Sequence, residues 1–155
     1  RDEYKGEVQI SFGMTTKAET EEVIKFFEIN NNAKDRLIIY SCTSGYPVPF
    51  KDISLLEINN LYEKYDKRVK GIGFSGHHLG IAIDCAAYTL GARWIERHFT
   101  KDRTSKGTDH AASLEPNGLR LLVRNLNACY SALTTKACEI LEIEQVQRDK
   151  LKNKK

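Results

Sequence analysis

The chain has 155 residues, of which 41% are hydrophobic and 29% charged, so it is long enough for one soluble globular domain and too apolar to be intrinsically disordered. Much of the formal net charge of +3 lies in the basic C-terminal residues, without the interleaved aromatic side chains that indicate nucleic-acid binding. No apolar run is long enough to cross a membrane, and the four cysteines lack metal-site spacing, so the composition predicts free thiols in a cytoplasmic protein.

The first predicted unit is a short strand followed by a helix. Residues 7–11 form a β-prone run. Thr16 and Glu19 have the spacing of a capping box, which predicts a helix that continues to about Glu28. A turn is predicted at residues 30–32, because asparagine is common in turns.

Three further strand–helix units follow. The second strand, residues 36–42, is almost continuously apolar, which is typical of a strand covered on both faces in a parallel sheet. Asp52 is predicted to cap the next helix, which continues to about residue 65. The remaining predicted elements are strands at 69–74 and 93–99 and helices at 81–90, 119–133 and 138–152.

This alternation predicts an α/β fold of four consecutive βα units with parallel strands and right-handed crossovers. Two architectures are compatible with it: an open doubly wound sheet, or the (βα)4 portion of a TIM-type (β/α)8 barrel. In both architectures the functional site lies at the carboxyl ends of the strands.

All four histidines lie in the third and fourth units. His77 and His98 follow consecutive strands, and neighbouring parallel strands lie about 5 Å apart, so the two imidazoles could share one divalent metal ion. Hydrogen-bonded structural histidines explain the pattern equally well. His78 is predicted to point away from the pair. Asp109, beside His110, is predicted to cap a turn, bind a sugar hydroxyl or orient a histidine.

Three serines, Ser11, Ser44 and Ser75, also occupy equivalent places at strand ends, each with a glycine nearby. Hydroxyl and backbone N–H groups in such turns predict a site for an anionic substrate. Tyr46 belongs to a proline-containing segment that is predicted to form an ordered loop over this site. Nucleophilic catalysis by Cys42 has little support, because no histidine can be placed beside it from the spacing.

At these residues the sequence resembles the sialic acid synthase (N-acylneuraminate synthase) family. The shared segments occur in family order through about residues 7 to 125. They are residues 10–14, 42–47, 73–77, 95–100 and 106–116. The joint match is specific, whereas no single segment would be.

The resemblance implies that residues 1–135 are the C-terminal half of a (β/α)8 barrel and that residues 136–155 are a polar helical tail. It implies an enzyme that condenses phosphoenolpyruvate with an N-acylmannosamine-type sugar, free or 6-phosphorylated. The products are a nine-carbon, sialic-acid-like 2-keto acid and phosphate.

The resemblance also assigns roles to individual side chains. The implied metal ligands, which are also the implied catalytic residues, are His77 and His98, and the ion is Mn²⁺ or Mg²⁺. The implied contacts of phosphoenolpyruvate are Ser11, Ser44 and Ser75. The implied contacts of the acceptor sugar are Tyr46 and Asp109.

The sequence departs from the family pattern in residues and in extent. Gly76 stands where many bacterial members have aspartate, which is closer to the branch with the animal enzymes, and Phe12 replaces the usual threonine. Only the last four βα units are present. The full protein is therefore expected to contain the other barrel half and an antifreeze-like domain, and to form a homodimer.

We expect the chain alone to have little or no synthase activity. Two alternatives remain open from the sequence. The chain could be a non-catalytic half-barrel with an assembly or binding role, or part of an aldolase-like enzyme with a different 2-keto acid donor.

Overall fold

The computed structural model describes residues 3–29 and 32–152. Four parallel strands form one sheet: β1 (Val8–Ser11), β2 (Leu37–Cys42), β3 (Gly71–Gly76) and β4 (Trp94–Arg97). The helices are α1 (Lys17–Glu28), α2 (Asn32–Arg36), α3 (Glu57–Tyr65), α4 (Ala82–Thr89), α5 (Pro116–Ala132) and α6 (Glu142–Leu151). The strands lie side by side in chain order. This order is that of a (β/α)8 barrel, since a doubly wound sheet reverses its strand order at a switch point.

One face of the sheet packs against the helices. Leu37 and Ile39 of β2 and Ile72 of β3 share an apolar cluster with Ile24 and Phe27 of α1. A second cluster covers the β3–β4 side of the same face and contains Val48, Ile53, Ile58, Phe74, Ala87 and Ala92. Burial of each large apolar side chain stabilises the fold by about 1.5–3 kcal/mol, so this outer face holds the sheet and helices together.

The opposite, inner face carries side chains in layers, because alternate residues of a strand point to opposite faces and paired strands stay in register. The first layer is Ser11, Tyr40, Gly73 and Trp94, and the next layer toward the carboxyl ends is Cys42, Ser75 and Glu96. A Cβ at Gly73 would come within 2.6 Å of both the Trp94 carbonyl oxygen and the Tyr40 ring. Glycine at this position therefore allows the two aromatic residues to approach the sheet.

The capping box at the start of α1 is confirmed. The Thr16 amide donates to Glu19 Oε2 at 2.7 Å, and the Glu19 amide donates to Thr16 Oγ1 at 3.2 Å. Of the predicted turn at 30–32, residues 30 and 31 lie outside the described residues. Asn32 is the first residue of α2, a helix that the sequence did not predict.

Two boundaries in the middle of the chain also differ from the prediction. The third strand begins and ends two residues later than predicted, at Gly71 and Gly76. Asp52 does not cap α3, because it ends a short 3₁₀ turn that begins at Phe50. Ser54 then adopts a left-handed conformation, with a φ of 53°, which interrupts the helical path before α3 starts.

The C-terminal helix is shorter than the predicted 138–152, since α6 begins only at Glu142. The Glu144 carboxylate accepts a hydrogen bond from the Leu141 amide at 2.9 Å and pairs with Lys136 at 2.6 Å. These contacts define the start of α6, while the division of the chain at residue 135 stays a prediction. Within residues 3–29 and 32–152, each helix is too short or too polar to span a lipid bilayer.

Candidate metal and substrate site

His77 and His98 lie together at the carboxyl ends of β3 and β4. Each follows its strand on the inner face, two residues beyond Ser75 and Glu96, which are paired in the register. Their ring centroids are 5.1 Å apart, and the ring planes meet at 66°. His77 is buried, whereas the side chain of His98 is 30% exposed. The structure therefore brings together the two histidines that the sequence analysis selected.

Each of the two rings has an oxygen beside its Nδ1 atom. His77 Nδ1 lies 3.0 Å from the Thr43 carbonyl oxygen, and since a carbonyl only accepts, Nδ1 of His77 carries the proton. His98 Nδ1 lies 3.6 Å from Asp109 Oδ2. The hydrogen bond to Thr43 leaves Nε2 of His77 available to a metal ion, which is the usual outer-shell pattern of metal-ligating histidines, whereas the 3.6 Å separation at His98 assigns neither nitrogen.

The two histidines are candidate ligands for a divalent ion, and the described residues offer few further ligands. Among residues 3–29 and 32–152, no group of three or more His, Cys, Asp or Glu side chains is placed to hold a metal. Two imidazoles leave several coordination positions for water, substrate oxygens or other parts of a larger protein. This donor set suits a catalytic ion better than a closed structural one.

Tyr46 lies against both histidines. The Tyr46 ring centroid is 4.6 Å from that of His77 and 5.6 Å from that of His98. The loop that carries it is tied to the site, because the Val48 amide donates to the His77 carbonyl at 3.0 Å. The predicted ordered loop beside the site is therefore present, and its tyrosine remains half-exposed to a substrate.

The three serines occupy different heights rather than the equivalent places that the sequence suggested. Ser11 is exposed and lies in the layer of Tyr40. Ser75 is buried one layer closer to the histidines, and its hydroxyl donates to the Glu96 carboxylate. Ser44 follows the end of β2 and approaches β1, where a Cβ at Gly13 would meet Ser44 Oγ at 2.2 Å. The hydroxyls thus form a staggered row along the inner face.

Sequence reasoning missed Glu96 and the neighbour of Cys42. Glu96 lies two residues before His98 on the same strand, so period-two alternation would have placed both on the inner face. Cys42 Sγ is 4.0 Å from His77 Nδ1, a contact that the sequence spacing did not reveal. Burial raises the pKa of the Cys42 thiol, with a further contribution from the Glu96 charge, which keeps the sulfur protonated.

The other two histidines do not join the pair. His78 is fully buried and faces the opposite side of the sheet, where its ring packs 5.9 Å from that of Phe74, so it points away from the pair as predicted. His110 Nδ1 lies 2.8 Å from Thr100 Oγ1. Asp109, beside it, precedes a short 3₁₀ turn without a side-chain capping bond, and its Oδ2 lies 3.6 Å from His98 Nδ1, so the roles that the sequence left open stay predictions.

A cleft of about 590 Å³ lies between α1 and α3, apart from the histidine pair. Its lining includes Lys17, Ser41, Thr43 and Lys64, but neither His77 nor His98. The pair lies instead on the open inner face of the sheet. The assignment of the site therefore rests on the convergence of polar side chains at the strand ends, and this cleft does not contribute to it.

The sequence matches the NeuB family over residues 2–137. The N-acetylneuraminate-9-phosphate synthase of Homo sapiens is 39% identical over 142 residues, which are 92% of this chain and 38% of the human protein. The N,N'-diacetyllegionaminic acid synthase of Campylobacter jejuni is 36% identical and aligns with 80% of this chain and 36% of its own length. This chain therefore spans little more than a third of these relatives.

The fold matches that of a solved relative. The N-acetylneuraminic acid (sialic acid) synthetase of Leptospira borgpetersenii superposes with a TM-score of 0.76 at 32% identity. The superposition covers 96% of this chain and 51% of that protein. The predicted (βα)4 portion of a TIM-type barrel is thereby confirmed, as is the resemblance to sialic acid synthases.

Proposed function

Because the chain belongs to the NeuB family, we propose that it forms part of a synthase that condenses phosphoenolpyruvate with an N-acylmannosamine-type sugar. The products would be a nine-carbon, sialic-acid-like 2-keto acid and phosphate. The observation that carries this proposal is the pair of inner-face imidazoles, His77 and His98, whose ring centroids lie 5.1 Å apart at the strand ends. Similar proteins include an N-acetylneuraminate-9-phosphate synthase, an N,N'-diacetyllegionaminic acid synthase and a pseudaminic acid synthase.

Under this proposal, His77 and His98 hold Mn²⁺ or Mg²⁺. A bound ion would act as a Lewis acid on the aldehyde oxygen of the open-chain sugar. The Thr43 carbonyl accepts from His77 Nδ1 and orients that ring, while Asp109 Oδ2, 3.6 Å from His98 Nδ1, would have to move closer to orient the second ring. A ring that is already oriented loses little freedom when it binds an ion, so His77 is prepared before substrate arrives.

The inner-face hydroxyls are the proposed contacts of phosphoenolpyruvate. Ser11 and Ser44 offer O–H groups along the staggered row, whereas the Ser75 hydroxyl donates to Glu96 and would have to exchange that acceptor for a phosphoenolpyruvate oxygen. Glu96 accepts from Ser75 and so fixes the orientation of that hydroxyl. Phosphoenolpyruvate carries both a phosphate and a carboxylate, and a row of donors can position both anions relative to the acceptor.

Tyr46 and Asp109 are the proposed contacts of the acceptor sugar. Both lie against the histidine pair, both are about half-exposed, and both can bind a sugar hydroxyl. In the overall reaction, C3 of phosphoenolpyruvate attacks the sugar aldehyde, water adds at C2, and phosphate leaves with cleavage of its C–O bond. The residues around the pair must therefore hold the aldehyde carbon close to C3.

The inner face is incomplete within this chain. The outer edges of β1 and β4 have no strand partner among the described residues. Exposed parallel edges normally pair with further strands. We propose that the remaining barrel half is supplied by additional protein, that an antifreeze-like domain belongs to the full protein, and that the complete synthase is a homodimer.

Metal binding tests the site directly. A Mn²⁺ titration, followed by the loss of the free-ion EPR signal, is expected to show one site per chain. The double variant His77→Ala/His98→Ala is expected to lose it, because both proposed nitrogen ligands are removed. The matched control is His110→Gln, which changes a neighbouring histidine outside the pair. Equal binding by wild type and double variant would refute the metal assignment.

The reaction requires a second assay. The chain is mixed with a polypeptide that supplies the other four βα units of a relative, and phosphate release from phosphoenolpyruvate is measured with N-acetylmannosamine or its 6-phosphate. We expect release that depends on both substrates and on His77 and His98. Release without phosphoenolpyruvate dependence would favour another 2-keto acid donor. Mn²⁺ binding by the chain without any turnover in the completed barrel would favour a binding or assembly role.

A further inference from the structure

We propose that Arg97 is a positioning residue that fixes the spacing of His77 and His98 from behind the sheet. It acts through a buried cluster, Arg97–Asp84–His78, which locks the segment after β3 to the end of β4. This inference deepens the proposed metal site and rests on it. No contact between the cluster and a substrate is required.

The cluster lies directly behind the site, because His77 and His78 are neighbours after β3 and Arg97 and His98 are neighbours at the end of β4. Since successive residues of an extended strand point to opposite faces, His77 and His98 face inward while His78 and Arg97 face the helices. The inner pair consists of the two metal-ligand candidates. The outer pair is in contact as well, because Arg97 Nη1 lies 3.1 Å from His78 Nε2. Movement of either outer residue therefore moves an inner imidazole one residue away.

Arg97 extends the connection between the strands beyond the last ladder pair. The parallel register of β3 and β4 ends at Gly76 and Arg97. Beyond that point the Arg97 guanidinium connects β4 to the segment after β3. Its Nη2 donates to the His78 carbonyl at 2.7 Å, and its Nη1 donates to the Gly80 carbonyl at 2.9 Å. One side chain thus holds two backbone carbonyls of the segment that carries His77. A planar fork with fixed donor directions is suited to this, whereas a lysine ammonium is not.

Asp84 anchors the arginine to α4. Arg97 Nη1 and Asp84 Oδ2 are 2.5 Å apart, and the side chains are 3% and 0% exposed. Three polar atoms of the cluster, His78 Nδ1, Asp84 Oδ1 and Arg97 Nε, are buried without a hydrogen-bond partner. Charges buried in this way lose hydration, and an apolar replacement is often at least as stable. The cluster is therefore poorly explained by stability alone, and its geometry points to the control of position.

Gly76 completes the arrangement. A Cβ at this position would lie 2.9 Å from His78 Cε1 and 2.8 Å from the Phe74 ring. The His78 ring can occupy its place only because residue 76 has no side chain. The absence of a side chain at Gly76 therefore allows the His78 ring to pack against β3, within reach of Arg97.

The test compares Arg97→Lys with Arg68→Lys in the full 155-residue chain. Arg68 is a second arginine with two acidic partners, but it precedes β3 and contacts Glu21 and Glu28 of α1. Two readouts are used. The first is the nuclear Overhauser effect between the His77 and His98 ring protons without metal. The second is the Mn²⁺ dissociation constant from EPR titration. Circular dichroism establishes that each variant is folded.

We expect Arg97→Lys to weaken or abolish the ring–ring Overhauser effect and to raise the Mn²⁺ dissociation constant by at least about tenfold, the range typical of outer-shell changes. Arg68→Lys should leave both readouts unchanged. Folded Arg97→Lys with wild-type ring contacts and Mn²⁺ affinity within twofold would overturn the proposal. If Arg97→Lys does not fold, Asp84→Asn is measured instead, because it keeps the shape of the side chain and removes its charge. The same two readouts, with the same expected and contradicting results, then decide whether the cluster positions the rings.

Failure of the proposed metal site gives a different result. If the wild type binds no Mn²⁺, the metal assignment is wrong, and the Overhauser readout alone decides whether Arg97 positions the two rings. Loss of ring contact in Arg97→Lys but not in Arg68→Lys then supports the positioning role. Unchanged ring contact in both variants refutes it.

Discussion

Two arginine clusters connect elements at opposite ends of the sheet, and they are built differently. At the amino ends of the strands, Arg68 makes two bonds to Glu21, at 2.7 and 3.1 Å, and two to Glu28, also at 2.7 and 3.1 Å. These three side chains are 23–37% exposed. At the carboxyl ends, Arg97 and Asp84 are fully enclosed, and the cluster leaves three buried polar atoms without partners.

This difference in burial and hydrogen bonding indicates that the two ion-pair clusters have different roles. The Arg68 guanidinium makes four hydrogen bonds to its acidic partners at little desolvation cost, and it connects α1 to the segment before β3. The Arg97 cluster bears a large desolvation cost and lies directly behind the two imidazoles. We therefore expect the first cluster to contribute modestly to stability and little else. Substitutions in the second cluster should lower stability more strongly and should alter the spacing of His77 and His98.

The largest expected effect comes from breaking the buried pair. Asp84→Ala leaves the Arg97 guanidinium buried without its counter-charge, which should lower the free energy of unfolding by about 3–5 kcal/mol. Urea denaturation with an unchanged m-value would measure it. The matched change at the other cluster, Glu28→Ala, leaves Arg68 paired with Glu21 and should cost less than about 1 kcal/mol. Similar losses in the two variants would remove the distinction between the clusters.

A steric change should perturb the buried cluster without removing a charge. Gly76→Ala places a Cβ 2.9 Å from the His78 ring, so the ring must shift, and overpacking of this kind costs about 1–3 kcal/mol. Gly118→Ala is the control, because its Cβ would meet only ordinary contacts, the nearest at 3.4 Å. Alanine there should stabilise α5 by about 0.4–1 kcal/mol. A neutral Gly76→Ala would mean that His78 does not depend on the glycine.

The two clusters also mark the limit of what the sequence could predict. His77 and His98 were predictable, because parallel strands bring their carboxyl ends to one edge, and this rule needs only the strand ends. The Arg97–Asp84 pair was not, because it depends on which turn of α4 faces β4, and neither residue type indicates burial. Glu96 could have been found from strand alternation alone.

The fold likewise has features that the sequence predicts and features that it does not. The βα alternation follows from apolar periodicity, but the strand order, which separates the two compatible architectures, and α2 do not. That helix has only five residues, and its place is fixed by long-range contacts: Ala33 is buried, and Arg36 Nε donates to the Gly6 carbonyl at 2.8 Å. Short helices of this kind are stabilised by tertiary packing rather than by propensity, so local sequence carries little information about them.

A smaller effect is expected at the exposed cluster. Arg68→Gln removes the charge that pairs with Glu21 and Glu28, and because these groups are partly hydrated, the loss should be about 1 kcal/mol. Urea denaturation at neutral pH measures it, and 1 M salt should reduce the difference between variant and wild type by screening. A loss comparable to that of Asp84→Ala would show that the Arg68 pairs are less hydrated than their exposure indicates.

The smallest effect is a dependence on acid pH that comes from the Arg68 cluster. Hydrogen bonds from Arg68 lower the pKa of Glu21 from 4.5 to about 2. The hydrogen bonds that Arg68 donates to Glu28 also lower the pKa of Glu28. A carboxylate with a depressed folded pKa stabilises the protein above its unfolded pKa, and this contribution is lost as pH falls through 4.5 toward 2. Wild type should therefore lose stability across that window more steeply than Glu21→Gln, which has no proton to take up at this position. Parallel curves for the two proteins would show that Arg68 does not hold Glu21 in its charged form. The same comparison at low and high salt would then separate a screened surface contact from a specific hydrogen-bonded pair, because salt weakens the first far more than the second.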